Sequence, residues 1–147
     1  YVSGTDPSAA AAVAAAADIT IVFGATVSGE GTDRKTLALD EIPYSVNPRG
    51  SPEAGAEFLI STVAKAAKGV TIVVGVTPGA ITTPWRDAVD AIVVAFLPGQ
   101  EYGHALTSVL FGDSEPTGRL PLTFPVGEND LNWTVEQWPG VVTPRTP

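Results

Sequence analysis

The sequence predicts an α/β fold, a three-layer α/β/α sandwich with a largely parallel sheet, and three observations carry that prediction. Short apolar runs recur at Ile19–Phe23, Val70–Val76 and Ala91–Phe96. They are continuous rather than alternating, as expected of strands covered on both faces. Segments of helical character stand between them, and strand alternating with helix favours parallel pairing with helices on both faces of the sheet. A length of 147 residues with 44% hydrophobic content suffices for one domain with a full core.

The elements follow in order. Asp6 and Pro7 read as N-cap and first helical residue, opening an alanine-rich helix over Ser8–Ala17. Ile19–Phe23 is the first strand. Residues Gly24 to Gly50 show no helical or strand period, and so long a loop inside a compact domain is uncommon and usually functional or disordered. Ser51-Pro52 repeats the cap-then-proline signal. Ala56, Leu59, Ile60, Val63 and Ala67 then line one face of a helix that Gly69 stops.

Val70–Val76 is the second strand, broken by Thr77-Pro78-Gly79. A short helical turn is expected around Pro84–Val89. Ala91–Phe96 is the third strand, and a helix runs from about Gln100 to Phe111, closed by Gly112. Arg119–Phe124 reads as a fourth strand. The sandwich domain is thus expected over 1–125, with 126–147 a proline-punctuated extended tail or linker.

Composition excludes several functions. Eight basic residues against sixteen acidic ones, net charge −8, leave no Lys/Arg cluster for nucleic acid or anionic lipid. The longest strongly apolar runs, such as Ala91–Leu97, are far too short to span a bilayer. No cysteine is present, which removes disulfides, thiol nucleophiles and thiolate metal sites, and one His cannot build a His-rich zinc site. No metal or cofactor is therefore expected. The chain begins at Tyr1 and lacks methionine, which suggests a processed product or a segment of something longer. Asn132-Trp133-Thr134 is a glycosylation sequon.

Chemistry concentrates in Ser28-Gly29-Glu30-Gly31-Thr32-Asp33-Arg34, at the exit of the first strand. Open α/β sheets bind ligands at the carboxyl ends of their strands. The stretch fails as a Rossmann fingerprint, because Arg34 stands where the third glycine belongs. No P-loop and no Gly-x-Ser-x-Gly elbow occurs. Glu30 is thus either a solvated loop acid or a functional carboxylate, and its flanking glycines suit close ligand approach as well as an ordinary turn. Asp33-Arg34 fits a local ion pair or a loop anchor. His104 and Asp113 suit a helix surface and a helix-terminal turn. Trp85, Trp133 and Trp138 are candidates for stacking on sugars, although burial is the commoner use of such rings.

Taken together, Ala17-Asp18-Ile19-Thr20-Ile21-Val22-Phe23, Ser28-Gly29-Glu30-Gly31, Asp33-Arg34, Phe96-Leu97-Pro98-Gly99-Gln100-Glu101, Val109-Leu110-Phe111-Gly112-Asp113 and Thr117-Gly118-Arg119-Leu120-Pro121-Leu122-Thr123-Phe124-Pro125 resemble glycoside hydrolase family 3. The likeness is to the α/β-sandwich domain that follows the catalytic barrel in β-glucosidases, and it runs over nearly the whole chain. It implies that Glu30 is the general acid/base of retaining hydrolysis. Ser28, Gly29, Gly31, Asp33 and Arg34 would then contact the substrate. The nucleophile would be an aspartate of the barrel, which this chain lacks, so the isolated chain should not turn over substrate.

The partners so implied are β-linked glucosides or oligosaccharides and the catalytic barrel domain of the same parent protein. A secreted or extracellular location goes with them. Two other classes stay open: a stand-alone carbohydrate-binding module, and a structural docking domain that exposes an apolar patch to its partner.

Overall fold

A computed structural model describes residues 1–31, 34, 36–39, 55–130, 132, 134, 136 and 137. Helix α1 spans Pro7–Ala14. The Asp6 carboxylate accepts a hydrogen bond from the Ala9 N–H at 3.0 Å, and Pro7 occupies the first turn, where no N–H is needed. The helix stops three residues before Ala17, because Ala16 and Ala17 donate to Val13 and Ala14 in a tightened last turn.

Strand β1 (Ile19–Ala25) runs parallel to β2 (Val70–Val76), with Ile19 opposite Val70 and Ala25 opposite Val76. Strand β3 (Ala91–Val94) pairs parallel with β2 from Ile72 opposite Ala91 to Gly75 opposite Val94. The sheet order is β1-β2-β3, so β2 is central and β1 and β3 are edges among the described residues.

Helix α2 (Ala56–Ala66) connects β1 to β2. Gly55 is at its N-cap, Glu57 in its first turn and Lys65 in its last, both charges suiting the helix dipole. The Ser51-Pro52 start signal and the segment Asp40–Gly50 lie outside the described residues. Gly69 does more than end the helix: a Cβ there would lie 2.0 Å from the Asp18 carbonyl oxygen, so the glycine lets the entries to β1 and β2 approach closely. Val70 N–H in turn donates to Asp18 O at 2.9 Å.

A single 3-10 turn at Arg86–Ala88 occupies the region where a helical turn was expected. Helix α3 spans Tyr102–Leu110 and ends as expected at Gly112, whose φ of 83° is open to glycine at no steric cost.

The core joins α1, α2 and one face of the sheet. Ala10, Ala14, Ile60 and Val63 meet Val22 and Val73, and Leu39, Ile81 and Trp85 complete the cluster. Two sequence expectations need correction. Arg119–Phe124 is not a strand: Pro121 sits mid-segment without an N–H to give to a ladder, and Leu120 and Leu122 are exposed. Strand β1 is not covered on both faces, since Ile19, Ile21 and Phe23 are exposed while Val22 is buried.

Candidate active site

The carboxyl edge of the sheet is where three loops converge. The loop leaving β1 carries Ser28, Gly29, Glu30 and Gly31, all exposed. Gly31 has φ 74°, a left-handed conformation that explains the glycine. Among the described residues, a Cβ at Gly29 or Gly31 would meet nothing within 4 Å. Glu30 is exposed in a turn that follows directly on Gly29. Asp33 lies outside the described residues.

Arg34 is half-buried and points back toward the protein. Its Nη2 donates to the carbonyl of Ala80 at 2.7 Å, linking the β1 loop to the loop after β2. Its buried Nη1 has no hydrogen-bond partner among the described residues. This is a loop anchor built on a fixed fork geometry, with one donor left over.

The convergence is reinforced by a residue that the sequence reading passed over. Glu57, in the first turn of α2, accepts from the backbone N–H of Leu39 at 3.3 Å and from the hydroxyl of Thr82 at 2.8 Å. Thr82 N–H donates to Leu37 O at 2.9 Å, and Glu128 accepts from Leu37 N–H. Thr83 donates through both its N–H, at 2.9 Å, and its hydroxyl, at 3.1 Å, to Pro125 O. Thr77 caps its own turn by bonding Gly79. The loops after β1 and β2 and the segment at 125–128 are thus tied at one edge of the sheet. A Glu in the first turn of a helix reads from sequence as a dipole partner, and only the tertiary contacts reveal its bridging role.

The remaining candidates are placed plainly. Trp85 is 3% exposed and belongs to the core, so it cannot offer a face to a sugar at the surface. Trp133 and Trp138 lie outside the described residues. His104 is exposed on α3, and Asn132 is exposed. Among the described residues no group of three His, Cys, Asp or Glu side chains could hold a metal, and no helix is long and apolar enough to cross a membrane.

A parallel α/β domain with an acidic, glycine-flanked loop at its carboxyl edge defines a class of domain that presents groups to ligands at that edge. Residues 3–142 match the glycosyl hydrolase family 3 C-terminal domain, and the chain belongs to that family. It is 41% identical over 113 residues to Beta-glucosidase B of Emericella nidulans, a match covering 77% of this chain and 12% of that protein. With Probable beta-glucosidase L of the same organism it is 39% identical over 145 residues, covering 90% of this chain and 18% of the relative.

Among solved structures it resembles the beta-glucosidase of Kluyveromyces marxianus in complex with glucose. There the TM-score is 0.68 at 27% identity, over 82% of this chain and 13% of that one. A beta-glucosidase from Chaetomella raphigera gives a TM-score of 0.65 at 34% identity, over 84% of this chain and 17% of that one. The chain thus spans less than a fifth of the length of the proteins it matches.

Proposed function

We propose that this chain is the α/β-sandwich domain of a retaining β-glucosidase-like hydrolase and that Glu30 is its acid/base. On this reading Glu30 protonates the glycosidic oxygen as the bond to the leaving group breaks. It then takes a proton from the water that releases the glycosyl-enzyme intermediate. The observation that carries the reading is the exposure of Glu30 on a turn after β1, at the carboxyl edge of the sheet, beside loops fixed by Arg34 and Glu57. Such a turn can reach into a site whose walls belong to another domain.

Retention requires a second carboxyl group roughly 5–5.5 Å away as nucleophile, with the two groups in environments that keep one protonated and the other ionised. Both the nucleophile and those environments would come from the barrel domain. The substrates are β-linked glucosides or oligosaccharides, handled at a secreted or extracellular location. Ser28, Gly29, Gly31, Asp33 and Arg34 are the proposed neighbours of the sugar, with Arg34 acting through the loop it anchors.

The test is made in two forms of the protein. The isolated chain should release no phenol from an aryl β-glucoside; turnover that Glu30→Gln abolishes in this chain alone would sink the proposal. Joined to its barrel, the Glu30→Gln enzyme should lose about 10²- to 10⁴-fold in kcat on a poor leaving group. It should lose much less on an activated one, and azide should restore turnover. An unchanged rate on the poor leaving group overturns the assignment. The exposed Ile19, Ile21 and Phe23 favour a docking role alongside this one, with the sandwich serving also as a wall for another domain.

A further inference from the structure

The chain on both sides of Glu30 is tied to one short segment that follows β2. Before Glu30, the buried Thr26 donates its N–H to Val76 O at 3.1 Å. After it, Arg34 donates Nη2 to Ala80 O at 2.7 Å, four residues beyond Glu30. A further tie follows, where Thr82 N–H reaches Leu37 O at 2.9 Å. The turn that carries Glu30 is thus strung between two anchors, and both anchors sit on residues 76–80.

The shape of that segment depends on Thr77, which is fully buried at 0% exposed. Its hydroxyl donates to the Gly79 carbonyl and accepts from the Gly79 N–H, the latter at 3.2 Å. A hydroxyl that closes on the backbone two residues ahead fixes a turn. Pro78, between the two, has its φ locked by its ring. The carbonyl that receives Arg34 belongs to the very next residue, Ala80. Gly79 also lies against the guanidinium: a Cβ there would stand 3.9 Å from Arg34 Nη2. Buried hydroxyl, turn, carbonyl and guanidinium therefore form one continuous chain of contacts leading to the Glu30 loop.

We infer that Thr77 is a positioning residue for the acid/base. It holds the Ala80 carbonyl where Arg34 grips it, and so sets how Glu30 enters a site shared with the barrel. This inference rests on the reading of Glu30 as the acid/base. Thr77 is buried and acts through placement alone, but placement matters: a shift of about 1 Å in a reacting group can cost about 10²-fold in rate.

The test uses the parent enzyme, with this domain joined to its barrel, and two substrates. Phenyl β-glucoside has a leaving group that needs a proton, and dinitrophenyl β-glucoside has one that does not. Thr77→Val keeps the shape but can neither donate nor accept. It should lower kcat/KM on the phenyl substrate about 10- to 10²-fold and barely change it on the dinitrophenyl one. Thr77→Ser, which keeps the hydroxyl, should restore most of the loss. In an Arg34→Met background Thr77→Val should cost little more, because the two residues act in series. Equal losses on the two substrates, no loss, or losses that add in full overturn the inference. Glu30→Gln is measured alongside. If it spares the phenyl substrate, the acid/base reading has failed and Thr77 falls with it; if it separates the substrates and Thr77→Val does not, only the role of Thr77 falls. Should Thr77→Val not fold, Thr77→Cys, a weaker donor and acceptor, should give a smaller separation of the same kind, and its absence is equally decisive.

Discussion

Strands β1 and β2 are nearly the same peptide, Ile-Thr-Ile-Val-Phe-Gly-Ala against Val-Thr-Ile-Val-Val-Gly-Val, lying side by side in parallel register. They have different fates. In β2 the consecutive residues Val73 and Val74 are both fully buried, one on each face. In β1 their partners split: Val22 is 5% exposed and Phe23 55% exposed. Composition cannot account for this. β2 has a strand on either side, whereas β1 is an edge with nothing beside it among the described residues. Burial here is decided by position in the sheet, and β1 carries the side chains of a central strand in an edge position. It also lacks the Lys, Arg or Pro that usually guards an edge.

The sharpest way to break this comparison is to put the same charge into both strands. Val73→Asp should abolish the folded state, because a buried carboxylate without a partner costs about 3–5 kcal/mol and Val73 is fully buried within the hydrophobic core cluster. Phe23→Asp should move the melting free energy by less than about 1 kcal/mol. It should also reduce concentration-dependent association in sedimentation, since Ile19, Ile21 and Phe23 form an exposed apolar band bordering a groove of about 340 Å³ beside Val13 of α1. Thermal melts that show equal losses for the two variants would mean that β1 is covered after all.

This contrast also explains what was legible beforehand. The runs at Ile19 and Val70, the cap at Asp6 and the stop at Gly112 are local signals, and each holds in the structure. Whether a run is covered on one face or two depends on neighbours far away in sequence, so β1 misled. Arg119–Phe124 misled for a related reason: its apolar pattern fits a strand, but pairing needs donors that Pro121 does not have. At the site, Glu30 was visible because glycine flanks it after a strand. Glu57 was not, because its two acceptor bonds reach Leu39 and Thr82, 18 and 25 residues away.

A second measurement probes the entries to the two strands. Gly69→Ala places a methyl group 2.0 Å from the Asp18 carbonyl oxygen, a backbone atom that cannot swing aside. A loss of about 1–3 kcal/mol is expected, the usual cost of overpacking. Gly24→Ala meets side-chain atoms rather than backbone, Leu39 Cδ2 at 2.7 Å, Ala56 Cβ at 3.4 Å and Ile60 Cδ1 at 3.5 Å, and should cost less in the same urea titration. If Gly69→Ala is neutral, the strands can separate at their entries without loss. Next in size comes the cap of α1, the helix packed on α2. Asp6→Ala removes the acceptor for Ala9 N–H and should lower stability by about 1 kcal/mol, whereas Asp6→Asn should retain most of it.

The smallest effect belongs to β3, the other edge, where α3 carries no buried residue and faces the strand across a cavity of about 740 Å³. Tyr102 there has its hydroxyl pKa raised above 10.0 by burial. The sign follows from proton counting. Above the unfolded value the unfolded chain has released the phenolic proton while the folded chain still holds it, so alkali favours unfolding. Stability should be flat on this account through neutral pH and should begin to fall as the pH rises past about 10. Tyr102→Phe should remove that part of the alkaline loss without changing the neutral melting temperature by more than a few degrees, because the hydroxyl lost has no hydrogen-bond partner among the described residues. An alkaline limb identical in the two proteins would show that the β3 side of the sheet is as open to water as the outer face of β1, and would erase the difference between the two edges.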